Sequence, residues 1–368
     1  MSMRRILRYG NTTGACAAAA SKAAVLAITG KTVDRIGVPS PIGVRFEIFV
    51  KENQKLSEEI GEATVVKDAG DDIDATEKLE ISATAKLTND GKVAIKGGAG
   101  IGIVEKPGLP VAIGESAINP VPRRMIEESV REALPEGKGV EITLNIPEGV
   151  KVAKKTLNAK LGVVGGLSVL GTTGVVKPLS LEACRRSLVP QIDVAVAKGF
   201  TRIFVVPGNI GDRITRKLFH QPEDAIIQTG DFLGYMMDKA AAKGVTEIIL
   251  LGHPGKLVKL AANIFNTHHK VADARNEVIA AYAGAVGTDT QTINRLLKAN
   301  TSEEAITILK ETDLLKATFD RIAERVSQRV SERVENKAKI YVIMVSLEGE
   351  VLGMDENARS LELWQKSA

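Results

Sequence analysis

Apolar positions change their spacing about half-way along the chain. In the first half they mostly alternate. Over 42–50, Val44, Phe46, Ile48 and Val50 fall on one face, the period of a half-buried strand. Further strands are predicted near 63–66, 79–87, 92–95 and 140–146, with a helix over 123–134. An early helix is predicted over 15–28, capped by Thr12 or Thr13 and made almost wholly of small residues, so that it can pack very close to a sheet. The second half reads as strand, glycine turn, helix, repeated. A helical stretch over 181–198 carries Pro190, a kink site. Strands at 202–206 and 247–251 each run into a Gly/Pro turn and then a helix. From 273 to 337 the pattern is helical, with Ile322, Val326, Val330 and Val334 as a core-packing stripe, and 339–345 is a last strand.

The fold class is therefore α/β in the broad sense, in two domains. Residues 1–177 form a strand-rich α+β domain with glycine-rich turns. Residues 178–368 form a Rossmann-like α/β domain, built on a parallel doubly wound sheet with a helical extension. The length of 368 residues agrees with two cores, and only 4% of residues are aromatic, so those cores must be aliphatic. A net charge of +4 is not a nucleic-acid-binding signature. Cys16 and Cys184 offer neither a disulfide framework nor metal-ligand spacing, which points to a reducing cytoplasm. Residues 1–5 followed by Ala17–Ala20 have the outline of a signal peptide. The apolar run is alanine, however, and Lys22 interrupts it, so no leader is expected. No run reaches the roughly 20 apolar residues of a membrane span.

The densest chemical signal is the tract 161–176, LGVVGGLSVLGTTGVV. It has sixteen residues without a charge, five of them glycine: Gly162, Gly165, Gly166, Gly171 and Gly174. Such a cluster means close approach to the main chain or positive φ. Thr172 and Thr173 add hydroxyls, and the same Thr-Thr-Gly triplet recurs as Thr12, Thr13 and Gly14. Gly166 to Thr173 approaches a phosphate loop but lacks its lysine. Gly98, Gly100 and Gly102 resemble a nucleotide-binding turn. Yet Lys96 stands where an acid belongs, and Pro107 and Pro110 forbid the helix that should follow. The acidic turn Asp68, Asp71, Asp72, Asp74 lacks EF-hand spacing, though one of its carboxylates could act as a base. Two turns fall where parallel strands end and helices begin: Gly208, Asn209 to Asp212, and His253 to Lys256. His268 and His269 are adjacent, without metal spacing.

Taken in order, YGNTTGACAAAASKAA, VVKDAGDDIDAT, GIGIVEKPGLPVAIGESAINPVPRRMI, NAKLGVVGGLSVLGTTGVVKP, VVPGNIGD and LLGHPGKLVKLAANIFNTHHKVADAR resemble the CbiD family of cobalt-precorrin-5B C(1)-methyltransferases. The resemblance runs from Tyr9 to Arg275. It implies methyl transfer from S-adenosylmethionine to C-1 of a cobalt tetrapyrrole, giving cobalt-precorrin-6A in anaerobic cobalamin synthesis. It implies no protein-bound metal, because the substrate carries the cobalt, and no nucleic-acid or membrane partner. A homo-oligomer and contact with neighbouring pathway enzymes stay open. The substrate is large, flat and rich in carboxylates, which favours a cleft between two domains with several N–H and cationic donors. Thr12, Thr13, Gly14, Gly165, Gly166, Gly171, Thr172, Thr173, Gly174, Gly208, Asn209, Asp212 and Lys256 are expected to bind substrate or cofactor there, with Asp68 or His253 positioning the ring or handling a proton. Two alternatives remain. One is a kinase-like nucleotide enzyme, because the small-residue helix after Thr13 is similar to the phosphate-contacting helix of the ribosomal-S5-domain-2-like kinases. The other is a non-catalytic tetrapyrrole-binding protein of the same pathway.

Overall fold

Alanine and glycine decide how the first sheet is covered. The computed structural model describes residues 6–361, so the leader-like residues 1–5 lie outside the described part. The chain divides into two compact units, Met1–Ala183 and Cys184–Ala368. It is a mixed α/β protein.

In the first unit a five-stranded sheet has the order Glu52–Lys55, Ile60–Val66, Glu80–Thr88, Gly139–Asn145, Val93–Gly97. All neighbours are antiparallel except the last pair, which is parallel. The helix Thr13–Ile28 lies on this sheet with Ala15, Ala17, Ala18, Ala20 and Ala24 fully buried, against a sheet that buries Ala63, Ala83 and Ala85. The approach is so close that a Cβ on Gly61 would stand 2.2 Å from the Ala24 carbonyl oxygen. A second helix, Pro120–Arg131, packs against the first and starts on a proline, which needs no N–H partner there.

The strand predicted over 42–50 is shorter, Arg45–Phe49, and pairs with Arg35–Pro39, a strand the pattern did not reveal because Gly37 and Pro39 disguise it. Ile42 and Val44 belong to the turn instead: Gly43 takes φ +80° and the Ser40 hydroxyl donates to the Val44 carbonyl at 2.6 Å. The glycine tract forms no hairpin of its own. Val163–Val164 pairs with Ile103–Val104, and Val175–Val176 pairs with Gly10–Asn11.

The second unit holds a five-stranded sheet in the order Ile226–Gln228, Arg202–Val206, Glu247–Gly252, Lys339–Val345, Val351–Met354. The first four strands are parallel and the fifth is antiparallel. Lys339–Val345 is therefore not the last strand: a turn over 346–350 brings Val351–Met354 back beside it. The expected kinked helix is two helices, Leu181–Leu188 and Pro190–Ala197, since Pro190 cannot donate to the preceding turn. Ile322, Val326 and Val330 of the helix Leu315–Arg333 are fully buried, and Val334 just beyond it nearly so. From Arg202–Val206 the chain goes first to one side, to Ile226–Gln228, and then to the other, to Glu247–Gly252. The crevice beyond the C-terminal ends of those two central strands is a switch point of the topology.

Gly61→Ala should lower stability by about 1–3 kcal/mol, because the added methyl meets backbone that cannot move alone. Gly37→Ala, whose nearest neighbour would be 3.8 Å away, should change it by less than about 0.5 kcal/mol. Urea titration of both variants checks this; equal effects would mean that the close helix–sheet approach is not what the glycine protects.

Candidate functional site

The two Thr-Thr-Gly segments meet in the first unit. The Thr12 hydroxyl caps the helix, accepting from Ala15 N–H at 3.2 Å. Thr12 N–H donates to the Gly174 carbonyl at 3.0 Å, and Gly14 N–H to the Leu170 carbonyl at 3.0 Å. The Thr13 hydroxyl donates to the Leu170 carbonyl at 3.1 Å and accepts from its N–H at 2.9 Å. These donors at the helix start are thus taken by the protein's own main chain. Gly171, at φ +134°, leaves room for Thr12, whose hydroxyl would be 2.4 Å from a Cβ there. Gly174 lies against Phe46 and Met125. Gly166 belongs to a different contact: its Cβ would stand 2.2 Å from the Gly100 carbonyl oxygen. The Gly98–Gly102 segment is a backbone partner of the tract. Gly165 and Thr172 face solvent, and Thr173 bonds locally to Val175.

Asp68 leaves the strand Ile60–Val66 beside this turn. Both its oxygens take the Arg8 guanidinium, and one also accepts Gly70 N–H at 2.8 Å. The Arg8 hydrogen bonds hold its carboxyl below the usual range, which weakens it as a base and suits an orienting anion. Beneath lies a buried ion pair: Lys67, 1% exposed, donates to Asp74 at 2.7 Å. Burial pushes the Asp74 carboxyl up, but Lys67 and Thr76 outweigh it and the net direction is down. Cys16 is buried nearby, its thiol pushed up to about 12 by desolvation.

In the second unit the structure brings both predicted turns to one place. Gly208, Asn209, His253 and Lys256 line a single cavity of about 460 Å³ with Ile210, Gly255 and Leu347. It opens at the switch point, between the ends of Arg202–Val206 and Glu247–Gly252. The helices Asn209–Phe219 and Pro254–Ala261 both start at its wall. His253 Nδ1 accepts Gly255 N–H at 3.1 Å, so Nε2 carries the hydrogen and donates to Glu303. Both ring nitrogens are therefore engaged in shaping the turn. Asp212 turns away: it holds Arg216 and accepts from Gln228 Nε2 at 2.7 Å, on the wall of a neighbouring open groove that shares Asn209.

Behind Lys256 stands a group that turn-spotting did not find. Lys256 Nζ lies 3.1 Å from Asp231 Oδ1. Lys259 is 2% exposed and donates to the Thr267 and Ala272 carbonyls at 3.0 and 2.9 Å. Burial lowers its pKa. A lysine on the apolar face of the helix was the available signal. Among the described residues no cluster of His, Cys, Asp or Glu is placed to hold a metal ion, and no helix is long and apolar enough to cross a membrane.

Two family models match the chain: CbiD over residues 1–178, and the CbiD C-terminal domain over 266–356. A cobalt-precorrin-5B C(1)-methyltransferase of Methanocaldococcus jannaschii is 47% identical over 95% of this chain and 97% of its own length. The chain belongs to the CbiD family. A second relative, a cobalt-precorrin-5B C(1)-methyltransferase of Moorella thermoacetica, is 44% identical over 96% of this chain and 97% of its own length. A crystal structure of a cobalamin biosynthesis protein (cbiD) from Archaeoglobus fulgidus is 29% identical, covering 74% of this chain and 84% of its own, with a TM-score of 0.39. The Thr12 turn and the glycine tract fall inside the first CbiD model's span. The cavity turns at 207–211 and 252–256 lie between the two spans.

Asp74→Asn should cost about 3–5 kcal/mol by leaving the Lys67 charge buried without a counter-ion. The sign in pH follows from the depressed carboxyl. Its stabilisation is full above the unfolded pKa of roughly 3.9 and is lost as pH falls through the lower folded value. Urea unfolding of the wild type should therefore weaken on acidification below about pH 4, and Asp74→Asn should remove part of that dependence. An unchanged pH slope would argue against the pair.

Proposed function

We propose that this chain is a methyltransferase that methylates C-1 of cobalt-precorrin-5B to give cobalt-precorrin-6A, with S-adenosylmethionine as donor. The reaction rests on membership of the CbiD family and on relatives at 44–47% identity, aligned over nearly their whole length, that carry that activity in their names. The donor site rests on one observation: the cavity of about 460 Å³ sits at the switch point of the parallel sheet, where open α/β sheets bind ligands. We read the second domain, 178–368, as Rossmann-like and as the donor domain, and 1–177 as the other functional domain. The similarity of the first to ribosomal-S5-domain-2-like kinases remains a reading of its small-residue helix.

The residues present fit such a donor. The volume lies in the range of small-molecule pockets. A Cβ on Gly208 would meet nothing within 4 Å, so the main chain there is open to a ligand. S-adenosylmethionine supplies a methyl group already activated on sulfur. The chain's work is then placement: Asn209 offers an amide at the wall, Lys256 a cation, and His253 holds the second turn through Gly255 N–H and Glu303. We assign His253 this positioning role, and Asp68 the orientation of Arg8 toward an anionic substrate group. Thr12, Thr13, Gly14, Gly171 and Gly174 shape that wall of the first unit, with Gly165, Gly166, Thr172 and Thr173 along the same tract. No observation favours ATP, and the Thr12, Gly14 and Ala15 N–H groups at the start of the helix are bonded within the protein.

Calorimetry should show binding of S-adenosylhomocysteine and none of ATP, and incubation with donor and cobalt-precorrin-5B should add one methyl by mass. Gly208→Leu should fold normally, because its φ of 174° is open to any residue, and should weaken S-adenosylhomocysteine at least about tenfold by filling the cavity. Full affinity in that variant would move the donor site elsewhere, and absent turnover would sink the assignment.

A further inference from the structure

If the cavity takes the methyl donor, the donor's ribose needs an acceptor for its two hydroxyls. The acid that the turn motifs offer in the second unit, Asp212, has both oxygens engaged, by Arg216 and by Gln228. The topology supplies another. Ile226–Gln228 runs parallel beside Arg202–Val206, and its C-terminal end passes through Thr229 and Gly230, at φ +58°, into Asp231. In doubly wound folds the ribose hydroxyls are taken by an acid about 20 residues beyond the glycine turn. Asp231 stands 20 residues beyond Gly211.

The local geometry holds this carboxylate from behind. Oδ1 lies 3.1 Å from Lys256 Nζ and accepts from Thr267 Oγ1 at 3.3 Å. Thr267 N–H donates to the Asp231 carbonyl at 3.0 Å. The Thr267 carbonyl is in turn gripped by the buried Lys259. Among the described residues Oδ2 carries no hydrogen bond, and the carboxylate is part-exposed. Lys256 also lines the cavity, so Asp231 is one side chain from it. Lys256 offsets the charge, while the carboxylate stays an acceptor.

We infer that Asp231 is the carboxylate that accepts the ribose hydroxyls of the methyl donor, with Lys256, Thr267 and Lys259 fixing its position. This rests on the donor-site reading above. Competition of adenosine and of 2′,3′-dideoxyadenosine against S-adenosylhomocysteine, followed by calorimetry on the full chain, tests it. The wild type should prefer adenosine by about tenfold or more, since hydrogen bonds to a charged acceptor are the stronger kind. Asp231→Ala and Asp231→Asn should bring the two nucleosides to within about threefold of each other. Asp231→Glu, which keeps a charged acceptor on the same loop, should keep part of the preference, at about threefold or more, and so separates loss of the carboxylate from disturbance of the loop. Preference retained in Asp231→Ala, or lost as fully in Asp231→Glu as in Asp231→Ala, overturns the inference. If the wild type binds S-adenosylhomocysteine without telling the nucleosides apart, the inference fails alone. If the wild type does not bind S-adenosylhomocysteine, the donor-site reading fails and takes the inference with it.

Discussion

Main chain lying directly on main chain is the constraint from which the first unit follows. With so few aromatic side chains, the core gains density by closeness rather than by bulk. The Thr13–Ile28 helix settles onto the sheet through alanines, and Gly61 lets the helix carbonyls touch the strand. The same device recurs at Gly100, which stands against Gly149 and Gly166, and at Gly10, whose Cβ would fall 2.1 Å from the Ala69 carbonyl carbon. Each contact tolerates no added carbon. Side chains elsewhere in the unit are free to vary only within the frame these contacts set.

That constraint also explains which parts of the chain could be read in advance. Alternation located Ile60–Val66, Glu80–Thr88 and Gly139–Asn145, because one face of each is apolar and the pleat has period two. It missed Arg35–Pro39, whose glycine and proline look like a turn, and Ile226–Gln228, too short to show a period. The glycine tract was legible as a place of close approach and positive φ, and Gly162, Gly165, Gly171 and Gly174 do take positive φ. What approaches Gly166 and Gly171 is the protein itself, at Gly100 and at Thr12. A glycine records that something is near, and its identity lies in the long-range pairing.

The second unit was easier to read at its turns than behind them. Gly208, Asn209, His253 and Lys256 line one cavity, because a glycine turn after a parallel strand must lie at the sheet's C-terminal edge. Asp212, one helical turn beyond Asn209, shares with it the neighbouring groove and not the cavity, because Arg216 and Gln228 hold its carboxylate there. Lys259 is buried on the apolar face of its helix, and only the tertiary path of the loop over 262–274 supplies the carbonyls that receive it.

The sheet of the second unit tapers at both margins. Its outer strands, Ile226–Gln228 and Val351–Met354, have three and four residues, whereas the inner three have five, six and seven. A parallel sheet with apolar inner strands is an inviting template for a foreign strand. Here the ladder at either margin is brief, and side chains take part of it: Gln191 bonds both main-chain groups of Gln228, and Asp320 accepts Met354 N–H. A foreign strand therefore finds little free main chain to pair with at either margin, and the apolar inner strands stay out of its reach.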